Sequence, residues 1–107
     1  MMEEMIFYSI CSVEDLPPGE RIFLELKGTP IVVFNIDGNF FAIEDTCTHD
    51  DGPLGDGDLE GHEIVCPRHG ARFDVRTGEV LALPAVTNVR SFPVRVTDRK
   101  VEIGIED

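Results

Sequence analysis

Cys47-Thr48-His49 and Cys66-Pro67-Arg68-His69, with sixteen residues between His49 and Cys66, decide how this chain is read. Each short pair offers one thiolate and one imidazole. Cys-x-His brings two donors to the tip of one loop, and Cys-x-x-His does the same on a second. If each loop gives its Cys to one iron and its His to the other, the two loops clamp a [2Fe–2S] cluster from both sides. Two Cys and two His also make a structural zinc site. Zinc sites tend to pair like with like, whereas both pairs here are mixed.

The flanks read as β structure. Residues 5–10 make a first strand. Ser12 followed by Asp15 has the spacing of a shortened capping box, and Pro17-Pro18-Gly19 ends that turn at once. Arg21 to Lys27 alternates, with Ile22, Leu24 and Leu26 on one face and Glu25 on the other. Gly28-Thr29-Pro30 turns the chain. Ile31-Val32-Val33-Phe34 is a continuous apolar run suited to a central strand, and Asp37-Gly38-Asn39 turns it back into Phe40–Ile43.

Composition then shifts. Residues 44–61 carry four Gly and one Pro, and a loop of this length inside a compact domain is usually functional. Gly52, Gly55, Gly57 and Gly70 are expected to let backbone N–H groups approach the sulfurs. Glu63–Cys66 is a short strand, 72–75 and 79–81 form a hairpin around Thr77-Gly78, and Leu83-Pro84-Ala85 turns. Val89–Thr97 alternates, Asp98-Arg99-Lys100 turns, and Val101, Ile103 and Ile105 mark a last strand. The chain is thus expected to be one all-β domain over residues 1–107. Its scaffold spans about 1–43 and 85–107, and a ligand-bearing subdomain at about 44–84 is inserted into it.

Nine Lys and Arg stand against 21 Asp and Glu, a formal net charge of −12. That balance excludes nucleic acid and anionic membrane surfaces, whose phosphates need clustered cations. Met1-Met2-Glu3-Glu4 is acidic where a signal peptide is basic, and no stretch has the length to cross a bilayer. The expected location is the cytoplasm and the expected state a monomer. Cys11, outside both pairs, is expected to be a buried inert thiol, and His62 a surface-turn residue rather than a relay or third ligand.

The ligand pairs, together with Gly70, Phe73-Asp74, Thr77-Gly78, Pro84, Leu16-Pro17-Pro18-Gly19-Glu20 and Ile36-Asp37-Gly38, resemble the signature of Rieske ferredoxins. The likeness runs over nearly the whole chain, and is greatest to the small ferredoxin component of bacterial aromatic-ring dioxygenase systems. It implies a Rieske fold of three antiparallel sheets holding one [2Fe–2S] cluster. Cys47 and Cys66 would bind the inner iron, His49 and His69 the outer. Leu83 and Pro84 would lie in a loop that covers the cluster. The implied role is one-electron transfer from an NAD(P)H-dependent flavin-containing reductase to a terminal oxygenase, without catalysis by this chain alone. The small subunit of an assimilatory nitrite reductase, which shares the domain, is a second reading, and a zinc-stabilised interaction domain a third.

Departures from the family are informative. Rieske proteins of respiratory complexes carry an extra Cys in each loop, joined as a disulfide, and the matching positions here are Gly52 and Arg68. Those proteins also place a Ser and a Tyr hydroxyl against the sulfurs, where this chain has Ala71 and Phe73. Losing those hydrogen bonds implies the low end of the Rieske range, about −150 mV. Charge around the loops is uneven: residues 44–63 hold eight acids and no cation, and residues 66–76 hold Arg68, Arg72 and Arg76 against Asp74. Asp50 and Asp51 on an acidic side, with Arg68 and Arg72 on a basic side, are expected to orient docking partners. Asp50 and Asp51 beside His49 are also expected to disfavour an added electron and to favour a protonated ligand.

Overall fold

The computed structural model describes residues 5–106. Eleven strands form three antiparallel sheets. The first joins β1 (Met5–Ser12), β11 (Lys100–Glu106) and β10 (Val94–Thr97) in the order β1-β11-β10. The second runs β2 (Arg21–Leu26), β3 (Thr29–Ile36), β4 (Asn39–Glu44) and β9 (Ser91–Phe92). The third runs β5 (Leu59–Glu60), β6 (Glu63–Val65), β7 (Arg72–Asp74) and β8 (Val80–Ala82). Among the described residues no helix is long and apolar enough to cross a membrane.

The second sheet is the middle layer, and β3 explains why. Side chains alternate across a strand, so a strand buried on both faces is apolar throughout. Val32 and Phe34 enter one core with Ile43, Ile64, Phe73, Cys47 and Cys66. Ile31 and Val33 enter the other with Ala42, Phe92, Ile103 and Ile105. All four β3 side chains are at most 1% exposed. The first core joins the middle sheet to the ligand-bearing half, and the second joins it to the sheet of the two termini.

Three turns set the register. Lys27-Gly28, Asp37-Gly38 and Asp98-Arg99 each have both central residues at positive φ, the two-residue turn that matches strand twist. The first therefore lies one residue earlier than Gly28-Thr29-Pro30, and β3 already starts at Thr29. The Ser12 reading holds: a single 3-10 turn, Val13–Asp15, follows it, and the Ser12 N–H donates to Asp15 Oδ2 at 3.0 Å. Residues 89–97 are not one strand. Pro93 lacks an N–H and cannot continue a ladder, so Phe92 pairs with Ala42 in the middle sheet while Val94 pairs with Ile103 in the first. Strand β5, inside the glycine-rich stretch, is too short to carry a pattern. Cys11 is half-buried beside a bulge in β1, and burial pushes its thiol pKa up.

The turn after β7 is held by Asp74. Its carboxylate accepts the Arg76 N–H at 2.8 Å and, from the guanidinium, Nε at 3.0 Å and Nη2 at 2.9 Å. The side-chain hydrogen bond from Arg76 holds the carboxyl below its usual 3.8. A carboxyl lowered in the folded state stabilises fully above its unfolded pKa, and that stability is lost as pH falls through the folded value. Asp74→Asn should therefore cost about 1 kcal/mol at neutral pH. In paired thermal melts, the gap between native and variant should close as the pH drops below about 4.

Candidate metal centre

Two loops meet at one end of the molecule, and each is tied off by backbone hydrogen bonds. In the first, the Cys47 N–H donates to Gly52 O and the Asp51 N–H to Cys47 O, both at 2.8 Å. In the second, the Cys66 N–H donates to Ala71 O at 2.7 Å and the Gly70 N–H to Cys66 O at 3.1 Å. The two knots place both thiols inward, Cys47 at 0% exposure and Cys66 at 2%. They leave both imidazoles outward: His49 and His69 are exposed, their rings edge to face with centroids 5.2 Å apart. The two Sγ atoms and an Asp50 carboxylate oxygen all lie within 4.8 Å of one another.

Burial pushes the Cys47 thiol up, and the N–H groups of His49 and Asp50 at its sulfur work against that rise. The four glycines of this region direct their N–H groups elsewhere. The N–H of Gly52 goes to Asp50 Oδ1, that of Gly55 to Asp45 Oδ1, that of Gly57 to Leu54 O and that of Gly70 to Cys66 O. All four of these N–H groups thus meet oxygen acceptors. Gly57 answers a close approach instead: a Cβ there would lie 1.7 Å from Val65 O.

Two residues not singled out by sequence reasoning carry the first loop. Asp45 Oδ1 accepts the N–H groups of Leu54 at 2.9 Å and Gly55 at 2.6 Å, closing residues 45–55 into a ring. Arg21 reaches from β2 to the carbonyls of Gly55 at 2.5 Å and Gly57 at 2.7 Å, with its guanidinium 5.2 Å from the Phe34 ring centroid. An acid just before a Cys-x-His pair was the available signal for Asp45. Nothing local marks Arg21, because its partners lie more than thirty residues away.

Ala71 and Phe73 are fully buried in the core that contains Cys47 and Cys66, and neither brings a hydroxyl to it. Leu83-Pro84 is a cis peptide, with Leu83 75% exposed. Ala85 joins the thiol-containing core, and Thr48 Oγ1 donates to Thr87 O at 2.5 Å, so the segment after Pro84 is anchored to the first loop. His62 is half-buried, edge-on to Phe41 with centroids 5.7 Å apart, and lies outside the thiol group.

The charges are paired. Arg68 binds Asp50, Arg72 binds Glu60 at 2.8 Å and Glu63 at 3.3 Å, and Arg76 binds Asp74. Each arginine of the expected basic side is therefore ion-paired within the chain. The Arg68 hydrogen bond holds the Asp50 carboxyl well below the usual carboxylate range. Its negative charge is met at once, which offsets the expected repulsion of an added electron.

Two buried thiols behind two exposed imidazoles fit a cluster whose inner iron takes sulfur and outer iron nitrogen. Residues 6–93 match the model of the Rieske [2Fe-2S] domain. The chain belongs to the Rieske [2Fe-2S] family, and its cofactor is one [2Fe–2S] cluster, which sets zinc aside. Within the family it is similar to the ferredoxin component of biphenyl 2,3-dioxygenase from Rhodococcus jostii (strain RHA1), 43% identical over 102 residues and 95% of each chain. Its fold matches the ferredoxin of carbazole 1,9a-dioxygenase from Nocardioides aromaticivorans IC177, with a TM-score of 0.85 and 31% identity over 91% of this chain and 95% of the other. It also matches a chain in a complex of reduced oxygenase and oxidized ferredoxin in carbazole 1,9a-dioxygenase. There the TM-score is 0.85 and the identity 34%, over 92% of each chain. The protein is an electron-carrying ferredoxin of the aromatic dioxygenase type.

Asp45→Ala strands two buried-side N–H groups and should cost about 2 kcal/mol, whereas Asp45→Asn should recover much of that loss because it keeps an acceptor. Urea denaturation of the two variants and the native protein checks both values.

Proposed function

We propose that Cys47 and Cys66 ligate the inner iron and His49 and His69 the outer iron. In this reading the chain shuttles single electrons from a flavin-containing, NAD(P)H-fed reductase to a terminal oxygenase. The observation that carries the reading is the division of burial across the four side chains: the thiols are at most 2% exposed and both imidazoles face solvent. Bound there, the cluster supplies one-electron oxidation and reduction. The solvent-facing imidazoles of His49 and His69 would lie between a cluster held there and a partner. The oxygenase as recipient is supported by the carbazole 1,9a-dioxygenase ferredoxin, whose complex is with an oxygenase.

Docking falls on the same tip. Leu83 and Val86 are 75% and 77% exposed, an apolar rim on the segment anchored to the first loop. Of the four charged residues expected to orient partners, Asp50, Arg68 and Arg72 are ion-paired, and Asp51 alone has no ion pair among the described residues. The rim supplies contact, and the net charge of −12 supplies long-range steering toward a cationic partner face. Such an interface is small, below about 1,200 Å², so that each partner leaves quickly. The same net charge keeps copies apart as monomers. Three cysteines without a disulfide suit the reducing cytoplasm.

The purified protein should be brown and give a rhombic electron paramagnetic resonance signal on one-electron reduction. Redox titration should place its midpoint near −150 mV, at the low end for Rieske centres. Ala71→Ser and Phe73→Tyr each add a hydroxyl beside the thiols and should raise that midpoint. A native midpoint well above zero, or no signal at all, sinks the assignment.

A further inference from the structure

The two ligand-bearing tips, residues 47–53 and 66–70, are separate pieces of chain. Among the described residues, the two thiols of Cys47 and Cys66 aside, the hydrogen bonds that cross between them come from Arg68. Its Nε donates to Asp50 Oδ2 at 2.6 Å and its Nη2 to Asp50 Oδ1 at 2.9 Å, a two-pronged fork on one carboxylate. Its Nη1 donates to Pro53 O at 2.6 Å. Asp50 is fixed in turn by the Gly52 N–H, which donates to Oδ1 at 3.0 Å.

Gly52 makes the seat. A Cβ at that position would lie 2.7 Å from Arg68 Cζ and 2.8 Å from Nη2, too close for the guanidinium to stay where it is. Gly52 has ordinary backbone torsions, so what matters there is the missing side chain and not flexibility. The pair also sits against the donors: the Asp50 carboxylate is within 4.8 Å of both sulfurs and 3.8 Å from His69 Nδ1. We propose that Arg68 and Asp50, seated on Gly52, are a non-covalent positioning clasp that holds the two ligand loops at the separation the cluster requires. The proposal rests on the ligand assignment above.

An ionic clasp has properties a covalent one lacks. The Arg68 and Asp50 side chains are 32% and 24% exposed, so salt reaches and weakens the pair. A Lys at position 68 keeps the charge and loses the fork.

The test follows the visible absorbance of the holoprotein in excess chelator. Arg68→Ala should lose its cluster about tenfold faster than the native protein, the scale of one good charge-assisted pair. Gly52→Ala should lose it comparably fast although both charged side chains remain, and Arg68→Lys should fall between. Added KCl should shrink the ratio between native and Arg68→Ala rates, a readout that needs only those two proteins. Native-like retention in Arg68→Ala, or fast loss in Arg68→Ala with native-like retention in Gly52→Ala, overturns the clasp. A ratio indifferent to KCl overturns it as well. A native protein that takes up no cluster overturns the ligand assignment and the clasp with it; a native protein that holds its cluster no better than the variants overturns the clasp alone.

Discussion

Everything in this molecule depends on one strand having no wet side. Ile31, Val32, Val33 and Phe34 are dry on both faces of the middle sheet, so a layer must stand on each side. At about 25 cal/mol per Å², the apolar surface of four such side chains is one of the largest single contributions to stability in a chain of this size. One layer closes with the chain ends, in β1 and β11. The other closes with the loops that carry the thiols, which makes Cys47 and Cys66 part of the packing as well as donors.

The balance of charge across the tip follows from geometry that linear order conceals. Counted along the chain, residues 44–63 are acidic and residues 66–76 are basic. Folded, Arg68, Arg72 and Arg76 each find a carboxylate, two of the three across the gap between the blocks. The three arginines are thereby spent within the tip, which stays net acidic, as the whole molecule is. Its contact zone is left to the two imidazoles and the aliphatic rim, which suits surfaces that must meet and part repeatedly.

Much of this was legible in the sequence, for physical reasons. The strand alternation, the Asp37-Gly38 turn and the mixed Cys–His pairs are local signals, with causes a few residues apart. The three-sheet arrangement and the cluster came through the family likeness and not through periodicity. Contacts at long separation were hidden. Arg21 acts on carbonyls at positions 55 and 57, and Arg68 on a carboxylate eighteen positions back. Val89–Thr97 looked like one strand because alternation continues through Pro93; only the missing N–H tells that the chain changes sheets there. The close packing that Gly57 serves was hidden too, because its spatial neighbour Val65 lies in β6.

The split of the interior by β3 also sorts what the newly made chain can finish by itself. The core around Ile31, Val33, Ile103 and Ile105 contains neither ligand-bearing loop, so its burial is complete with polypeptide alone. The core around Val32 and Phe34 includes the thiols of Cys47 and Cys66, and metal bound there would add its binding energy to folding. The thiol loops thus share a core with Val32 and Phe34 and none with Ile31 and Val33, so whatever binds at those loops is packed against one face of β3 only.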